Sequence, residues 1–288
     1  MSDEKSPDTI KIWLGLEKSI VQQQKTVTFG DASTVVGGKI WGILSVALLA
    51  VAWLVISSNE LVDPIFWPSP GAVWDGLIKT MFDGFKNYYL HEHIWASLMR
   101  VLSGVLLGTL VGVPLGLAMG LSTRMRGFFD PIVEFMRPIP PLALIPLMIL
   151  WFGIGEQSKI ILLFLASVFI MTIAARSGVA SVRISKVHAA YCLGASKRQI
   201  LRHVILINAL PEIFTGIRTS LGVCWATVVA AELVGAKVGV GYMILAASKF
   251  LSSELVVLGI ILIGIIGFLI EVLMRWAEAK LIPWQGKG

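Results

Sequence analysis

Charged side chains are scarce in this sequence. They make up 15% of the 288 residues, against about 25% in ordinary soluble proteins, while 56% of the residues are hydrophobic and the mean hydropathy is +0.81. Cysteine is scarcer: Cys192 lies in a basic segment and Cys224 in an apolar one, which fits neither a metal-ligand spacing nor a disulfide framework. These shortages argue against a soluble enzyme or a disulfide-rich secreted domain, and they indicate a polytopic membrane protein.

The sequence also lacks the common nucleotide and metal motifs. The phosphate loop G-x-x-x-x-G-K-[ST] is missing, because the nearest approach, VVGGKI, has neither the earlier glycine nor the final hydroxyl residue. There is no H-E-x-x-H stretch, and His91 with His93 alone would make a loose metal site. We therefore expect no metal and no cofactor on this chain and no enzymatic activity. If ATP powers it, a separate protein must hydrolyse the ATP.

Long apolar runs predict an all-α fold with about six transmembrane helices, since a helix needs about 20 apolar residues to cross a bilayer. The runs cover residues 38–58, 94–121, 128–152, 159–175, 213–234 and 254–274. The third run contains RPIPPLALIP, whose prolines remove backbone donors and must interrupt an ideal helix. The first run begins too late for a secretory signal peptide, so we expect it to be an uncleaved span.

Basic residues in alternate loops predict the orientation, because such residues favour the cytoplasmic side. They cluster in residues 124–126 and 183–202 and near both termini, which places these parts in the cytoplasm and residues 59–93, 153–158 and 236–253 outside. The same topology explains the net charge of +6 without a nucleic-acid partner. In the first outer loop, FWPSPGAVWDGLIKTMF predicts a proline-initiated amphipathic helix, with Trp67 and Trp74 suited to the lipid interface.

One basic stretch, HAAYCLGASKRQILRHVILINALPEIFTGIR, is unusual in so apolar a chain. Gly194 permits a left-handed helix end, and Ser196 with Gln199 forms an S-x-x-Q capping box for a second helix. From the residues alone, a solvated loop with incidental helicity remains open. A DNA-binding helix-turn-helix is weaker, since a short loop tethered to a membrane lacks a third packing helix.

This stretch resembles the cytoplasmic signature of the permeases of bacterial type I ABC importers, E-A-A, three residues, then G. The matching positions, together with the apolar Leu193, are His188, Ala189, Ala190, Leu193, Gly194, Ala195 and Ser196. His188 replaces the usual glutamate, and Ile207 stands where a proline is common. The resemblance implies the fold of these permeases, with this segment as the coupling helix that docks on an ATPase subunit. It also implies a homodimer, two ATPase subunits that hold ATP and Mg²⁺, and an external solute-binding protein.

The resemblance predicts four regions: a polar cytoplasmic segment 1–37, a first span with an outer loop 38–92, a type-1 ABC transmembrane domain 93–275 and a cytoplasmic tail 276–288. The stretches RPIPPLALIPLMILWFGIGE and EIFTGIRTSLGVCWATVVAAELV and the tail PWQGK look like those of permeases for taurine and other alkanesulfonates. Permeases for nitrate and bicarbonate share much of this pattern and remain an alternative. An ion-coupled carrier or channel would explain the spans but not the coupling signature.

Polar residues at membrane depth are candidates for the substrate pathway, because an unpaired charge there is costly. Glu134 and Arg137 have the helical spacing of an ion pair. Alternatively, Arg137 attracts an anionic sulfonate where Pro138 and Pro140 make the pathway irregular. Glu232 is about 20 residues beyond Pro211, near the outer end of its span, where it would serve as a gate or outer contact.

Two further candidates lie in WATVVAAEL, namely Trp225 and Thr227. A substrate amine could contact Glu232 or the face of Trp225, although packing between helices explains Trp225 equally well. Glu212 and Arg218, near the cytoplasmic end of the same span, are expected to be interface anchors.

Overall fold

The computed structural model describes residues 38–59 and 62–283, and these residues are almost entirely helical. The helices are α1 Gly38–Ser58, α2 Pro70–Phe82, α3 Leu90–Leu121, α4 Thr123–Met136, α5 Ile145–Phe152, α6 Glu156–Ala180, α7 Ile184–Cys192, α8 Lys197–Ile200, α9 Leu206–Leu233, α10 Val240–Lys249 and α11 Ser253–Leu281. A 3-10 turn, Pro141–Leu144, precedes α5, and a π-helical turn, Leu201–Ile205, joins α8 to α9. The predicted all-α fold is confirmed. The predicted N-terminal segment 1–37 and the last five residues of the tail lie outside the described residues.

The prediction of about six membrane spans is confirmed. Five helical stretches of the described residues are long and apolar enough to cross a bilayer, namely α1, α3, α6, the continuous run Lys197–Leu233 and α11. A sixth is the pair Thr123–Met136 and Pro141–Phe152, which is bent by 88°. The fifth span begins earlier than predicted, because the helix continues through Pro211. Membrane helices tolerate such a proline, since neighbouring groups can satisfy the freed carbonyl.

Helix α1 is described by itself. Apolar side chains cover its circumference, and Ile40, Leu49 and Val46 are each more than 60% exposed. A helix that is apolar on every side is typical of a membrane span. Its bounds, Gly38–Ser58, are those that the sequence predicts.

Glycines on α3 let α6 pack against it at very short distance. Gly104, Gly108, Gly112 and Gly116 recur at every fourth position along α3 and form one stripe. A Cβ added at Gly112 would lie only 2.6 Å from the carbonyl oxygen of Val168. Small residues at this spacing are a common way for membrane helices to pack, because they let backbones approach closely. Helix α9 packs on α6 as well, with Ala209 and Ile213 buried beside residues of α6.

The proline-rich segment bends the third span as predicted. Helix α4 ends at Met136 with Arg137 as its C-cap residue, and the helical path resumes only with the 3-10 turn at Pro141. Pro138 and Pro140 lie in the bend, where neither can donate a backbone hydrogen bond. The bend therefore follows directly from the sequence, and it brings Arg137 to the end of a helix.

The predicted amphipathic helix after the first span is also confirmed, as α2. Ser69 is its N-cap residue, and its Oγ accepts a hydrogen bond of 3.2 Å from the backbone N–H of Ala72. Pro70 occupies the first helical position, where its missing N–H costs nothing. Trp67 and Trp74 are 42% and 62% exposed.

Candidate functional site

The first candidate site is the segment from α7 to α8, which we call the coupling segment (residues 184–200). Helix α7 ends at Cys192, and Gly194 reverses the chain with a φ of +80°. Ser196 then caps α8: its Oγ accepts from the N–H of Gln199 at 3.4 Å, and the Gln199 side chain accepts from the N–H of Ser196 at 2.8 Å. The helix, glycine turn and capping box predicted from the sequence are confirmed as structure.

The coupling segment presents small and apolar residues at its surface. Leu193 is 88% exposed and Ile184 is 70% exposed, while His188 and Ala189 are also exposed. A Cβ at Gly194 would meet no atom within 4 Å, so the glycine serves the backbone conformation there rather than a close contact. Large apolar side chains this exposed at a turn are typical of a contact surface.

The coupling segment is joined firmly to the long helix that follows it. Ile200 is 2% exposed and marks where the segment becomes buried. The Nζ of Lys186 in α7 donates a hydrogen bond of 2.8 Å to the side chain of Asn208 in α9. The segment is therefore connected to α9 at two points, through the continuous helix and through this bridge.

The second candidate site is a cavity of about 470 Å³, which we call the Arg137 cavity. It lies where the bend after α4 meets α6 and α9, and its volume is within the roughly 300–1,000 Å³ of small-molecule sites. Its polar lining residues are Arg137, Ser177, Glu212, Thr215 and Thr219. The rest of the lining is apolar or glycine: Met136, Ile139, Pro141, Leu165, Ala166, Phe169, Ile170, Ile173, Ala174, Gly216 and Val223.

Of the predicted pathway residues, Arg137 is the one that lines this cavity. Glu134 does not form the predicted ion pair with it, because its carboxylate instead contacts Arg176 of α6 at 3.5 Å. Arg176 also pairs with Asp130. Helical spacing predicted that Glu134 pairs with Arg137, three positions later. In the structure Arg176 of α6 is the nearer partner of Glu134. Pro138 and Pro140 form the bend but do not line the cavity.

Trp225 and Thr227 are buried in helix contacts away from the cavity. Trp225 is 7% exposed, and its Nε1 donates a hydrogen bond of 3.0 Å to the carbonyl of Ile263 in α11. Thr227 is 4% exposed and donates to the carbonyl of Val223 in its own helix, at 2.8 Å. For Trp225, the structure shows the packing role that the sequence left as an alternative.

Glu232 is fully buried, with 0% exposure, rather than an outer contact. Its carboxylate accepts three hydrogen bonds, from Arg100 at 2.5 Å, from Ser97 at 2.8 Å and from the N–H of Gly241 at 2.9 Å. With its oxygens occupied in this way, Glu232 joins α3, α9 and α10. In this structure Glu232 contacts the protein itself and lies outside the Arg137 cavity, while its proposed service as a gate or substrate contact stays a prediction.

Arg100 is the charged residue that the sequence reasoning missed. It is 3% exposed, and besides Glu232 it donates to both oxygens of Glu156, at 2.6 and 2.8 Å, and to the carbonyl of Val238 at 2.8 Å. Lys159 donates to Glu156 at 3.1 Å, so two cations and two carboxylates balance. An arginine within an apolar span could have been flagged as costly. Its partners could not, because Glu156 and Glu232 are 56 and 132 residues away.

Neighbouring side chains also accept hydrogen bonds from the first backbone N–H groups of α10. Three consecutive backbone N–H groups, of residues 239 to 241, donate to His93 at 3.1 Å, to Ser97 at 3.0 Å and to Glu232 at 2.9 Å. The first N–H groups of a helix have no partner within it, so side chains of α3 and α9 cap α10. We call Arg100, Glu156, Lys159 and Glu232, with His93 and Ser97, the buried network. In the described part of the chain, no three metal-ligating side chains gather together.

Arg218 connects α9 to α11. It pairs with Glu271 of α11, and a second nitrogen lies 3.5 Å from Glu278. Glu212, the other expected anchor, lines the Arg137 cavity instead.

Comparison with known proteins agrees with this arrangement of membrane helices, which is that of a membrane permease. The family model described as "Binding-protein-dependent transport system inner membrane component" matches residues 74–283, and the chain belongs to this family. The chain is thus a multi-span permease subunit of the inner membrane and not an enzyme. In such importers the ATPase is a separate subunit, and a binding protein supplies the solute.

Several curated relatives cover most of the chain. The taurine transport system permease of Escherichia coli is 45% identical over 84% of this chain and 89% of its own length. A protein of Bacillus subtilis described as an aliphatic sulfonates transport permease is 36% identical over 85% of this chain and 87% of its own. The nitrate import permease of a Synechocystis strain is 30% identical, with 85% and 90% covered.

A solved structure shares the fold. A chain of the MetNI methionine ABC transporter, in an inward-facing conformation, aligns with a TM-score of 0.54 at 21% sequence identity. The alignment covers 65% of this chain and 94% of that chain. The predicted permease fold of type I ABC importers is thereby confirmed.

Proposed function

We propose that this chain is the permease of an importer that moves taurine or a related alkanesulfonate into the cytoplasm. It acts as a homodimer with two ATPase subunits, which bind ATP and Mg²⁺, and an external binding protein delivers the solute. The coupling segment and both chain termini face the cytoplasm, as the distribution of basic residues indicates. Lipid surrounds the outward apolar faces of the spans.

The observation that carries the choice of substrate is Arg137 in its cavity. No ion pair of Arg137 is present among the described residues, whereas Arg100, Arg176 and Arg218 all have carboxylate partners. A guanidinium at membrane depth without a partner is costly, and its planar fork of donors matches an oxyanion. A sulfonate supplies the missing negative charge. The relatives named for taurine and aliphatic sulfonates support the same assignment.

The coupling segment supplies the connection to ATP. We assign His188, Ala189, Ala190 and residues 193–196 to the contact with the ATPase, because these positions match the family signature and most of them are exposed, with Ala190 and Ala195 half-buried. Helix α9 continues from this segment and also lines the Arg137 cavity. When ATP binding draws the ATPase subunits together, the displaced segment shifts α9 and so changes access to the cavity. This is alternating access between two states that the ATPase biases.

The test is ATPase activity of the complex in nanodiscs, with this chain, its ATPase and its binding protein. Taurine-loaded binding protein should stimulate hydrolysis, while binding protein without solute should not. Nitrate, bicarbonate and other sulfonates serve as the comparison. Stimulation by nitrate alone would assign the second candidate, a nitrate permease, which the Synechocystis relative makes worth testing. If no ATPase co-purifies with the chain, the proposal fails.

Substitution of Arg137 tests its role directly. Arg137→Gln should weaken the apparent affinity for taurine about tenfold or more, because a hydrogen bond to a charged group contributes about 1.5–3 kcal/mol. Arg137→Lys keeps the charge and should retain part of the affinity. Arg124→Gln is the matched control, since Arg124 is exposed and lies outside the cavity. Unchanged affinity in an assembled Arg137→Gln complex would remove Arg137 from the pathway.

A further inference from the structure

We infer that Glu212 makes the Arg137 cavity selective for a short zwitterion, with the sulfonate at Arg137 and an ammonium group at Glu212. This inference rests on the proposed function and adds to it the residue that recognises the amine. It replaces Glu232, which is fully buried in hydrogen bonds to the protein itself. Glu212 was expected only to anchor the chain at the membrane interface.

Two opposite charges line the cavity without neutralising each other. Glu212 is exposed and on α9, Arg137 is exposed and at the end of α4, and both belong to the cavity lining. Neither has an ion pair within the described residues, with the other or with any third group. The charged side chains of the buried network behave differently, since each of them has an oppositely charged partner. The cavity therefore keeps one free cation and one free anion for a ligand.

The exposed face of α9 continues the polar character of the cavity. Glu212, Thr215, Thr219, Gly222 and Ala226 are all exposed and fall on one stripe of the helix. A face in contact with lipid carries large apolar side chains, as α11 does with Phe268 at 67% exposure. The small and polar residues of this stripe differ from such a lipid-facing surface.

The threonines of this stripe can help to hold an ammonium group. Each donates its hydroxyl hydrogen to a carbonyl one turn earlier, Thr215 to Pro211 at 3.0 Å and Thr219 to Thr215 at 2.9 Å. With the hydrogen used in this way, the oxygen lone pairs face the cavity as acceptors. An ammonium group is a donor of three hydrogen bonds and accepts none. The carboxylate of Glu212 and these hydroxyls are thus the partners that such a group requires.

Charge balance explains why the cavity would discriminate between sulfonates. A zwitterion leaves both protein charges compensated. A sulfonate without an amine compensates Arg137 but leaves Glu212 unpaired and adds a second negative charge near it. Specificity arises as readily from such an unpaired or repelled group as from an added attraction. The inferred ligand class is therefore aminoalkanesulfonates, with taurine as the shortest common member.

The experiment measures binding to the permease–ATPase complex in nanodiscs without the binding protein, so that the selectivity of the binding protein cannot contribute. The ligands are taurine and 2-hydroxyethanesulfonate, which differ only in an ammonium group against a hydroxyl. The wild-type complex should bind taurine about tenfold more tightly. Glu212→Gln should weaken the affinity for taurine about tenfold and leave the affinity for 2-hydroxyethanesulfonate unchanged. Glu212→Asp should keep part of the preference for taurine. Asp75→Asn removes an exposed carboxylate outside the cavity and should change neither affinity.

Each outcome separates this inference from the proposed function. Equal wild-type affinity for the two ligands would overturn the role of Glu212 and leave a sulfonate permease. The same holds if Glu212→Gln weakens both ligands equally. If Glu212→Gln does not assemble, Glu212→Ala takes its place, and an unchanged preference for taurine in that variant would overturn the inference. If the wild-type complex binds neither sulfonate, the inference is overturned, whereas the proposed function fails only if taurine-loaded binding protein does not stimulate the ATPase.

Discussion

Replacing Glu232 by glutamine removes one charge from the buried network and should destabilise the protein. The carboxylate is 0% exposed and accepts a hydrogen bond of 2.5 Å from Arg100, whose own side chain is 4% exposed. A glutamine has nearly the same shape, so the substitution leaves no cavity. It leaves Arg100 with one compensating carboxylate, Glu156, and places an NH₂ group where one carboxylate oxygen accepted a hydrogen bond.

The expected cost follows from the burial of the pair. Removing one partner of a buried ion pair typically costs about 3–5 kcal/mol, because the remaining charge stays desolvated. Glu156 still binds Arg100 through both oxygens, at 2.6 and 2.8 Å, so we expect the lower end of that range. A loss of about 3 kcal/mol corresponds to a fall in melting temperature of about 6–12 °C for a chain of this size.

The assay is thermal unfolding of the purified complex in detergent, followed by size-exclusion chromatography of the heated sample. Glu156→Gln is the internal comparison, since the Glu156 side chain is 56% exposed and water screens its charges. Its effect should be less than half that of Glu232→Gln. The double variant Arg100→Met with Glu232→Met removes both charges. Its loss of stability should be smaller than the sum of the losses in the single variants Arg100→Met and Glu232→Met.

Two results would refute this reasoning. One is a melting temperature for Glu232→Gln equal to that of the wild type, which would show that the pair adds nothing to stability. The other is a double variant whose loss equals the sum of the single losses, which would mean that Arg100 and Glu232 do not interact energetically. Taurine affinity in the folded fraction of Glu232→Gln should remain unchanged, because Glu232 does not line the Arg137 cavity.

Three further substitutions test the helix packing and the coupling segment. Gly108→Val should abolish assembly, because its Cβ would lie 2.7 Å from the Cβ of Ser167. Gly127→Ala is the control and should assemble normally, because a Cβ there meets nothing within 4 Å. The size-exclusion profile measures assembly in both variants. Gly194→Val should lower the stimulated ATPase rate without changing taurine affinity. The reason is that φ is +80° at Gly194, and a left-handed conformation costs a β-branched residue about 1–2 kcal/mol or more. An unchanged rate would contradict the proposed role of the turn. Ser196→Ala removes the cap of α8 and should lower stability by about 1 kcal/mol, and hydrogen exchange no faster than wild type in α8 would count against it.

Local patterns of sequence predicted most of the secondary structure. The ends of α1, the start of α2 at Pro70, the bend at Pro138 and the turn at Gly194 each depend on residues a few positions apart. Proline and glycine restrict or permit backbone conformations wherever they occur, so their effects are visible without a tertiary structure. The start of the fifth span was predicted too late, because Pro211 does not end this helix.

The candidate site was predicted only in part, for reasons of distance along the chain. Arg137 was identified from its charge and its proline-rich surroundings. Its neighbour in the cavity, Glu212, is 75 positions later on a different helix, and no spacing rule relates the two. Glu134 seemed by spacing to be the partner of Arg137, yet Arg176 is nearer once α6 packs on α4. For Glu232 the depth within the span could be estimated from the sequence, but its partners Arg100 and Ser97 could not, because they lie on a different helix.

The sequence by itself determined an all-helical membrane protein with a helix, a glycine turn and a capping box in its basic segment, because hydropathy, proline, glycine and capping act over short stretches of chain. That the protein is a permease followed from its resemblance to a known family. The tertiary structure alone decided which charged side chains pair with each other within the described residues and which have no such partner. In a medium of low dielectric constant, a charge is either paired or costly, and pairing depends on which helices pack together. That packing is why Arg100 and Glu232 pair with each other, whereas Arg137 and Glu212 have no ion pair among the described residues.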